Sequence, residues 1–127
     1  MDTFNSFENG ILEVNGVSLA IKDIKWNEHS AFKGVFLKNL LKSTDTGGVF
    51  STHLVKIEPG AEIGSHVHTD NAELHEVIAG DGCCIMEKRR ISYSAGVCTF
   101  IDTSSKHRVI ADKNGLFLFA KIFPALL

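Results

Sequence analysis

Residues 60–80 read GAEIGSHVHTDNAELHEVIAG and concentrate metal-binding side chains in a short span. His66 and His68 are separated by one residue, so on an extended strand their imidazoles share a face, about 7 Å apart along the backbone. That spacing suits two ligands on one ion. The turn residues TDNA lead into ELHEVIA, whose apolar and β-branched residues predict a second strand. Glu73 opens that strand, and its carboxylate can return to the same ion.

Outward from this stretch, composition narrows the class. The chain has 127 residues, 44% of them hydrophobic and 22% charged, the makeup of one compact domain spanning residues 1–127. Amphipathic helical runs are scarce, while Gly, Val, Ile, Phe and Thr recur in short segments broken by turn residues, which predicts an all-β sandwich or barrel. A net charge of −2 gives no basic field, and the basic run Lys88-Arg89-Arg90 reads as a solvated turn, so no nucleic-acid partner is expected. The first residues resemble no signal peptide, and no apolar stretch approaches the ~20 residues of a membrane span. A cytoplasmic protein with no membrane partner is expected. Three cysteines, two of them adjacent at Cys83 and Cys84, make a poor disulfide framework, so Cys83, Cys84 and Cys98 are expected as reduced, buried thiols.

Taken in order, ILEV and VSLAIKDI flank Asn15-Gly16, a strong signal for a tight hairpin, and N-terminal strands are expected over residues 1–49. GVFLKNLLK reads as a strand, and STDTGG at 43–48 as a loop. In VFSTHLVKI, His53, Val55 and Ile57 share one face and Thr52, Leu54 and Lys56 the other. After the opening stretch, Asp81-Gly82, the KRR run, Ser94-Ala95-Gly96 and DKNG at 112–115 each read as turns between short strands. LFLFAKIF is apolar enough for burial on both faces, with Phe117, Phe119 and Phe123 as core or pocket wall.

These residues carry a resemblance. GAEIGSHVHTDNAELHEVIAG is similar to the first motif of the cupin family: a glycine, HxH, a glutamate and a closing glycine at the family's spacing. GVCTFIDTSSKHRVIA at 96–111 is similar to the second motif at Gly96 and His107, with Asp102 and Ser104 where the family usually has Pro and Gly. The resemblance covers about residues 50–123 and is to small bacterial single-domain cupins. It implies a double-stranded β-helix, a jelly-roll barrel, in which His66, His68, Glu73 and His107 hold one divalent metal, and a homodimer.

Three imidazoles and one carboxylate leave an octahedral ion two open positions, which suits catalysis; the donor set accepts zinc, iron, manganese, nickel, copper or cobalt, with affinity favouring copper, nickel and zinc. His75 shares the inward face of Glu73, and His53 lies on a neighbouring strand, so either is a candidate general acid/base or a partner that orients a ligand. Glu76 has the opposite parity and is expected to face outward, His29 to lie on the surface, and Tyr93 reads either way. The leading expectation is a metalloenzyme that uses its ion as a Lewis acid on a small oxygen-rich substrate, in isomerase or lyase chemistry. An iron-dependent dioxygenase and a non-catalytic sugar- or metabolite-binding module are the alternatives.

Overall fold

In the computed structural model, which describes residues 2–127, eight strands form one hydrogen-bonded system and two more a separate hairpin. The chain opens with a short helix, α1 (Asp2–Glu8), then β1 (Ile11–Val14) and β2 (Val17–Ala20). Asn15 and Gly16, both at positive φ, make the expected tight turn, with Val14 opposite Val17. A 3₁₀ turn at Ile21–Asp23 leads to β3 (Asn27–Glu28), β4 (Val35–Leu41), the one-turn helix α2 (Ser43–Thr46), β5 (Ser51–Ile57) and β6 (Glu62–His66). There follow β7 (Ala72–Met86), β8 (Arg89–Ser94), β9 (Cys98–Ile101) and β10 (His107–Phe123).

The two long strands, β7 and β10, decide the architecture. They pair antiparallel from His107↔Met86 to Phe123↔Ala72, with a register shift between Ala111 and Leu116. Beyond that shift, Leu116–Ile122 of β10 also pair with β5, which continues to β4 and β3, while β9 pairs with Glu73–Glu76 of β7. Before it, β10 pairs with β6, and β8 pairs with the second half of β7. Two strands thus serve two sheets, and the sheets face each other as a jelly-roll barrel.

The turns expected at Asp81-Gly82 and at 112–115 do not reverse the chain: both lie inside these continuous strands. Their glycines instead permit the bend. Gly80 and Gly115 have φ of 85° and 74°, and a Cβ on Gly80 would sit 2.1 Å from the carbonyl oxygen of Gly115. Two backbones touch where any side chain would intrude. The expected KRR turn is shifted as well: Glu87, at φ 51°, and Lys88 make the turn, while Arg89 and Arg90 belong to β8. Within the expected loop at 43–48, α2 forms one turn and ends at Gly47 in the left-handed conformation.

Strand alternation sends residues to two cores. Val55, Ile57, Val77, Val109, Leu116 and Leu118 fill the barrel interior. Leu54, Leu40, Ile78 and Ala79 face the other way, into a second core completed by Phe4, Phe7, Trp26, Phe117 and Phe119. LFLFAKIF departs in part from the burial on both faces that its composition predicts: Leu116, Leu118, Ala120 and Ile122 are buried, Phe117 and Phe119 are half-buried under the N-terminal segment, and Phe123 is exposed. The N-terminal segment covers the outside of the larger sheet, and its first element is a helix where a strand was expected. Phe4 lies on Phe117 (ring centroids 3.8 Å apart) and Phe7 meets Phe119 edge-on, so tertiary packing holds a helix too short to be stable alone. Glu8 ties it down: its carboxylate accepts from Trp26 Nε1 (3.1 Å) and pairs with the buried Lys38 (3.3 Å), whose Nζ also donates to the Ile21 carbonyl. No helix among the described residues is long and apolar enough to cross a membrane.

Gly80→Ala tests the bend. A methyl group must displace the Gly115 backbone, and a left-handed φ is unfavourable for alanine, so a loss of about 2–4 kcal/mol in urea denaturation is expected. Gly16→Ala, whose Cβ meets nothing within 4 Å, serves as the control and loses less.

Candidate metal centre

The bend brings together residues that are distant along the strands. Glu73 begins β7 and His107 begins β10, at opposite ends of their pairing, yet Glu73 Oε1 and His107 Nε2 lie 3.3 Å apart. His66, at the end of β6, completes a cluster in which one donor atom from each of the three residues lies within 4.8 Å of the others. A bulge aims it: His107 pairs with His66 but Val109 with Ile63, so β6 carries one extra residue, and both Ile63 and His66 line the same cavity.

The hydrogen bonds set the histidine tautomers. His66 Nδ1 donates to the Gly64 carbonyl (2.8 Å) and His107 Nδ1 to the Ser105 carbonyl (3.0 Å). In the neutral rings each Nε2 is then a free lone pair facing the cluster, the arrangement a metal ligand needs. Glu73 Oε1 and His107 Nε2 are both buried, face each other at 3.3 Å, and have no partner of good hydrogen-bond geometry. Two unsatisfied donor atoms of this type in one buried space fit a cation.

Glu73 is held from its other side. His75 Nε2 donates to Glu73 Oε2 (3.0 Å), so in the neutral ring His75 Nδ1 accepts from the Tyr93 hydroxyl (3.0 Å). Burial pushes the Tyr93 phenol well above its ordinary pKa, which keeps it a donor. Burial alone would raise the Glu73 carboxyl, but the adjoining His107 and His75 outweigh it and hold the group ionised, far below the usual carboxylate range. Burial lowers His66, against a smaller opposing effect of the Gly64 carbonyl. For His107 burial also acts downward, and Glu73 together with the Ser105 carbonyl turns the balance upward.

His68 lies two residues beyond the end of β6. Its ring is 5.0 Å from that of His66 and its Nε2 is 3.9 Å from Glu73 Oε1, so it borders the cluster without joining its closest group. Its carbonyl accepts from Ser104 N (3.0 Å), linking the HxH segment to the loop before His107. Ser104 has φ 64°, the conformation that glycine adopts freely, so a serine here makes the same left-handed turn.

His53 is 5% exposed, its Nδ1 has no partner, and burial lowers its pKa. It lines the same cavity as His66 and Glu73. Glu76 faces outward and pairs with Lys121, as its parity predicts. Cys83 and Cys84 are buried, and burial raises the Cys84 thiol, which suits an inert role. Cys98 departs from expectation and is exposed, because β9 turns Thr99 and Ile101 inward and Cys98 and Phe100 outward. Phe117 and Phe119 belong to the outer core, and Phe123 stacks on Phe50. His29 also corrects its surface assignment: with Phe32, whose ring centroid is 4.7 Å away, it lines the cavity. No pattern in the sequence links it to the motifs.

A model of the cupin domain matches residues 53–120. The chain belongs to the cupin family. No curated protein matches this cupin by sequence. Among solved structures, it is similar to a predicted oxalate decarboxylase from Thermotoga maritima, with 20% identity, TM-score 0.75, and 84% of this chain and 97% of that one covered. It is also similar to ectoine synthase from P. lautus, with 17% identity, TM-score 0.75, and coverage of 87% and 79%. A sugar phosphate isomerase of the cupin superfamily from Silicibacter pomeroyi matches at 18% identity and TM-score 0.72, with coverage of 83% and 74%. At these identities the likeness is one of fold.

Tyr93→Phe removes the donor to His75 Nδ1 and leaves a buried acceptor unpaired. A loss of about 1–3 kcal/mol in unfolding free energy is expected. Unchanged stability would show that this hydroxyl does not hold His75.

Proposed function

We propose that this cupin is a metal-dependent enzyme, with His66, His68, Glu73 and His107 holding one divalent transition metal and His53 acting on a substrate in the adjoining cavity. The pairing of two orphaned donor atoms, Glu73 Oε1 and His107 Nε2, carries this reading. His68, whose Nε2 lies 3.9 Å from Glu73 Oε1, is the nearest further imidazole able to add the fourth donor. When bound, a divalent ion supplies Lewis acidity, polarising a carbonyl or carboxylate oxygen and making the neighbouring carbon acidic or electrophilic.

The two remaining cavity histidines divide the work. His75 has both nitrogens engaged, one by Glu73 and one by Tyr93, so its role is to fix the carboxylate. His53 lines the cavity with one buried nitrogen unpartnered, and burial favours its neutral ring, the form that can take a proton from a substrate carbon and return it to a neighbouring position. Removal and return of a proton beside a polarised carbonyl is isomerase chemistry; expulsion of a leaving group in place of the return makes it a lyase.

Elemental analysis of tag-free protein, purified without chelators or nickel columns, tests the centre. Near-stoichiometric divalent metal is expected in the wild type, and its loss in His66→Ala and His107→Ala with the β-sheet circular dichroism retained. Metal retained in both variants would overturn the assignment.

Metal binding is also expected to depend on pH. The pKa of His107 is raised above 6.5, and the ring must lose its Nε2 proton to bind, whereas the lowered His66 is already neutral there. Affinity therefore falls as pH drops through the His107 value, by about tenfold per unit for one displaced proton. Titrations in buffers of different ionisation enthalpy measure that proton.

A further inference from the structure

The walls of the cavity carry information about its occupant. Fifteen residues line a space of about 390 Å³, near the small end of the range for small-molecule sites, roughly 300–1,000 Å³. Six of them are Glu73 and five histidines, of which His66, His68 and His75 lie at or beside the proposed centre; the other nine are apolar. Among the described residues, no lysine, arginine, serine, threonine, asparagine or glutamine contributes to the lining. A sugar's hydroxyl groups would find few partners here, and a phosphate no cationic side chain.

Charge leads to the same conclusion. Three neutral imidazoles and one carboxylate leave a divalent ion with a net charge of about +1, which a monoanion neutralises. A dianion would bring an uncompensated charge against an apolar wall. Part of that wall also lacks cover. Val67, Leu126 and Leu127 are 44%, 46% and 49% exposed, although all three line the cavity. The last two sit on a segment anchored by hydrogen bonds from Ala125 N to the Gly48 carbonyl (3.1 Å) and from Leu126 N to the Ser51 side-chain Oγ (3.0 Å). Leu118 and Ile122, on the inner face of β10, continue the same wall.

We propose that the site takes a monoanionic 2-oxo or 2-hydroxy acid with an aromatic or branched aliphatic body. Its two vicinal oxygens lie toward the metal, and its body lies along Val67, Leu118, Leu126 and Leu127. This rests on the metal centre proposed above. It replaces the oxygen-rich substrate expected from the sequence with one whose polar atoms are confined to its head.

Isothermal titration of the zinc-loaded protein with phenylpyruvate, pyruvate and glucose 6-phosphate tests it, with zinc chosen because it is redox-silent. Phenylpyruvate is expected to bind about tenfold or more tightly than pyruvate, from burial of its ring, and glucose 6-phosphate more weakly than either. In the double variant Leu126→Ser, Leu127→Ser, altered only at half-exposed positions, zinc binding and pyruvate affinity are expected to persist while the phenylpyruvate advantage falls about fivefold or more. Zinc bound with equal affinity for phenylpyruvate and pyruvate, or with glucose 6-phosphate preferred, overturns this inference alone. Phenylpyruvate binding that survives His66→Ala unchanged overturns the placement of its head on the metal. Failure of the wild type to bind zinc removes the metal reading and this inference with it.

Discussion

The contact of two backbones at Gly80 and Gly115 is the constraint on which the rest of the protein depends. β7 and β10 form one long antiparallel ribbon in which His107 lies opposite Met86 and Ile122 opposite Glu73. On a flat ribbon, positions 73 and 86 would be separated by roughly 40 Å of extended strand. Glu73 and His107 nevertheless approach to 3.3 Å, so the ribbon must fold back on itself. It does so where a Cβ cannot be accommodated, and the same fold makes two facing sheets out of one pair of strands. Barrel and candidate centre are thus products of one bend.

The second constraint is a charge. Glu73 is nearly buried, and an ionised carboxylate in such a place is costly unless it is paired and hydrogen-bonded. His75 satisfies one oxygen, with Tyr93 behind it, while the other oxygen remains open beside His107 and His68. The protein therefore holds one half of the carboxylate rigidly and leaves the other half open toward His107 and His68. Packing fixes this asymmetry: Tyr93 is 2% exposed and belongs to the barrel core, so the relay that orients Glu73 is anchored in the hydrophobic interior.

What was legible in the sequence follows from how local each signal is. His66, Glu73 and His107 stand at spacings that carry meaning along the chain, and the Asn15-Gly16 turn is specified by its own dihedral angles. Strand parity placed His53, His75 and Glu76 on their faces. The glycines at 80, 82 and 115 signalled departures from regular strand, but a glycine that lets two strands touch looks, in one dimension, like a glycine that reverses one strand. α1 was missed because its stability lies in the contacts of Phe4 and Phe7 with Phe117 and Phe119, more than a hundred residues away. Cys98 was misplaced because β9 is short and its alternation, more than its composition, decides what faces outward. His29, Leu126 and Leu127 reach the cavity from segments outside both motifs, and nothing local to them announces it.

The cavity's two characters arise from different parts of the same strands. In β10 the inward positions run from His107 through Val109 to Leu118 and Ile122, so one strand supplies a donor atom on one side of the bend and apolar wall on the other. β5 does the same over a shorter span, with His53 and Val55 two residues apart on one face. Because strand alternation fixes which residues face inward, polarity can change from one inward position to the next without disturbing the backbone. The donor cluster is bound by exacting geometry, with distances, tautomers and a charge to satisfy. The wall is bound only by volume and by the cost of unpaired polar groups. The segment bearing Leu126 and Leu127 is freer still, since its own contribution to the bonds that hold it comes from its backbone N–H groups, which many side chains at 126 and 127 would leave intact. The shape and polarity of the cavity are therefore the properties of this protein most easily altered at positions that never touch the donor cluster.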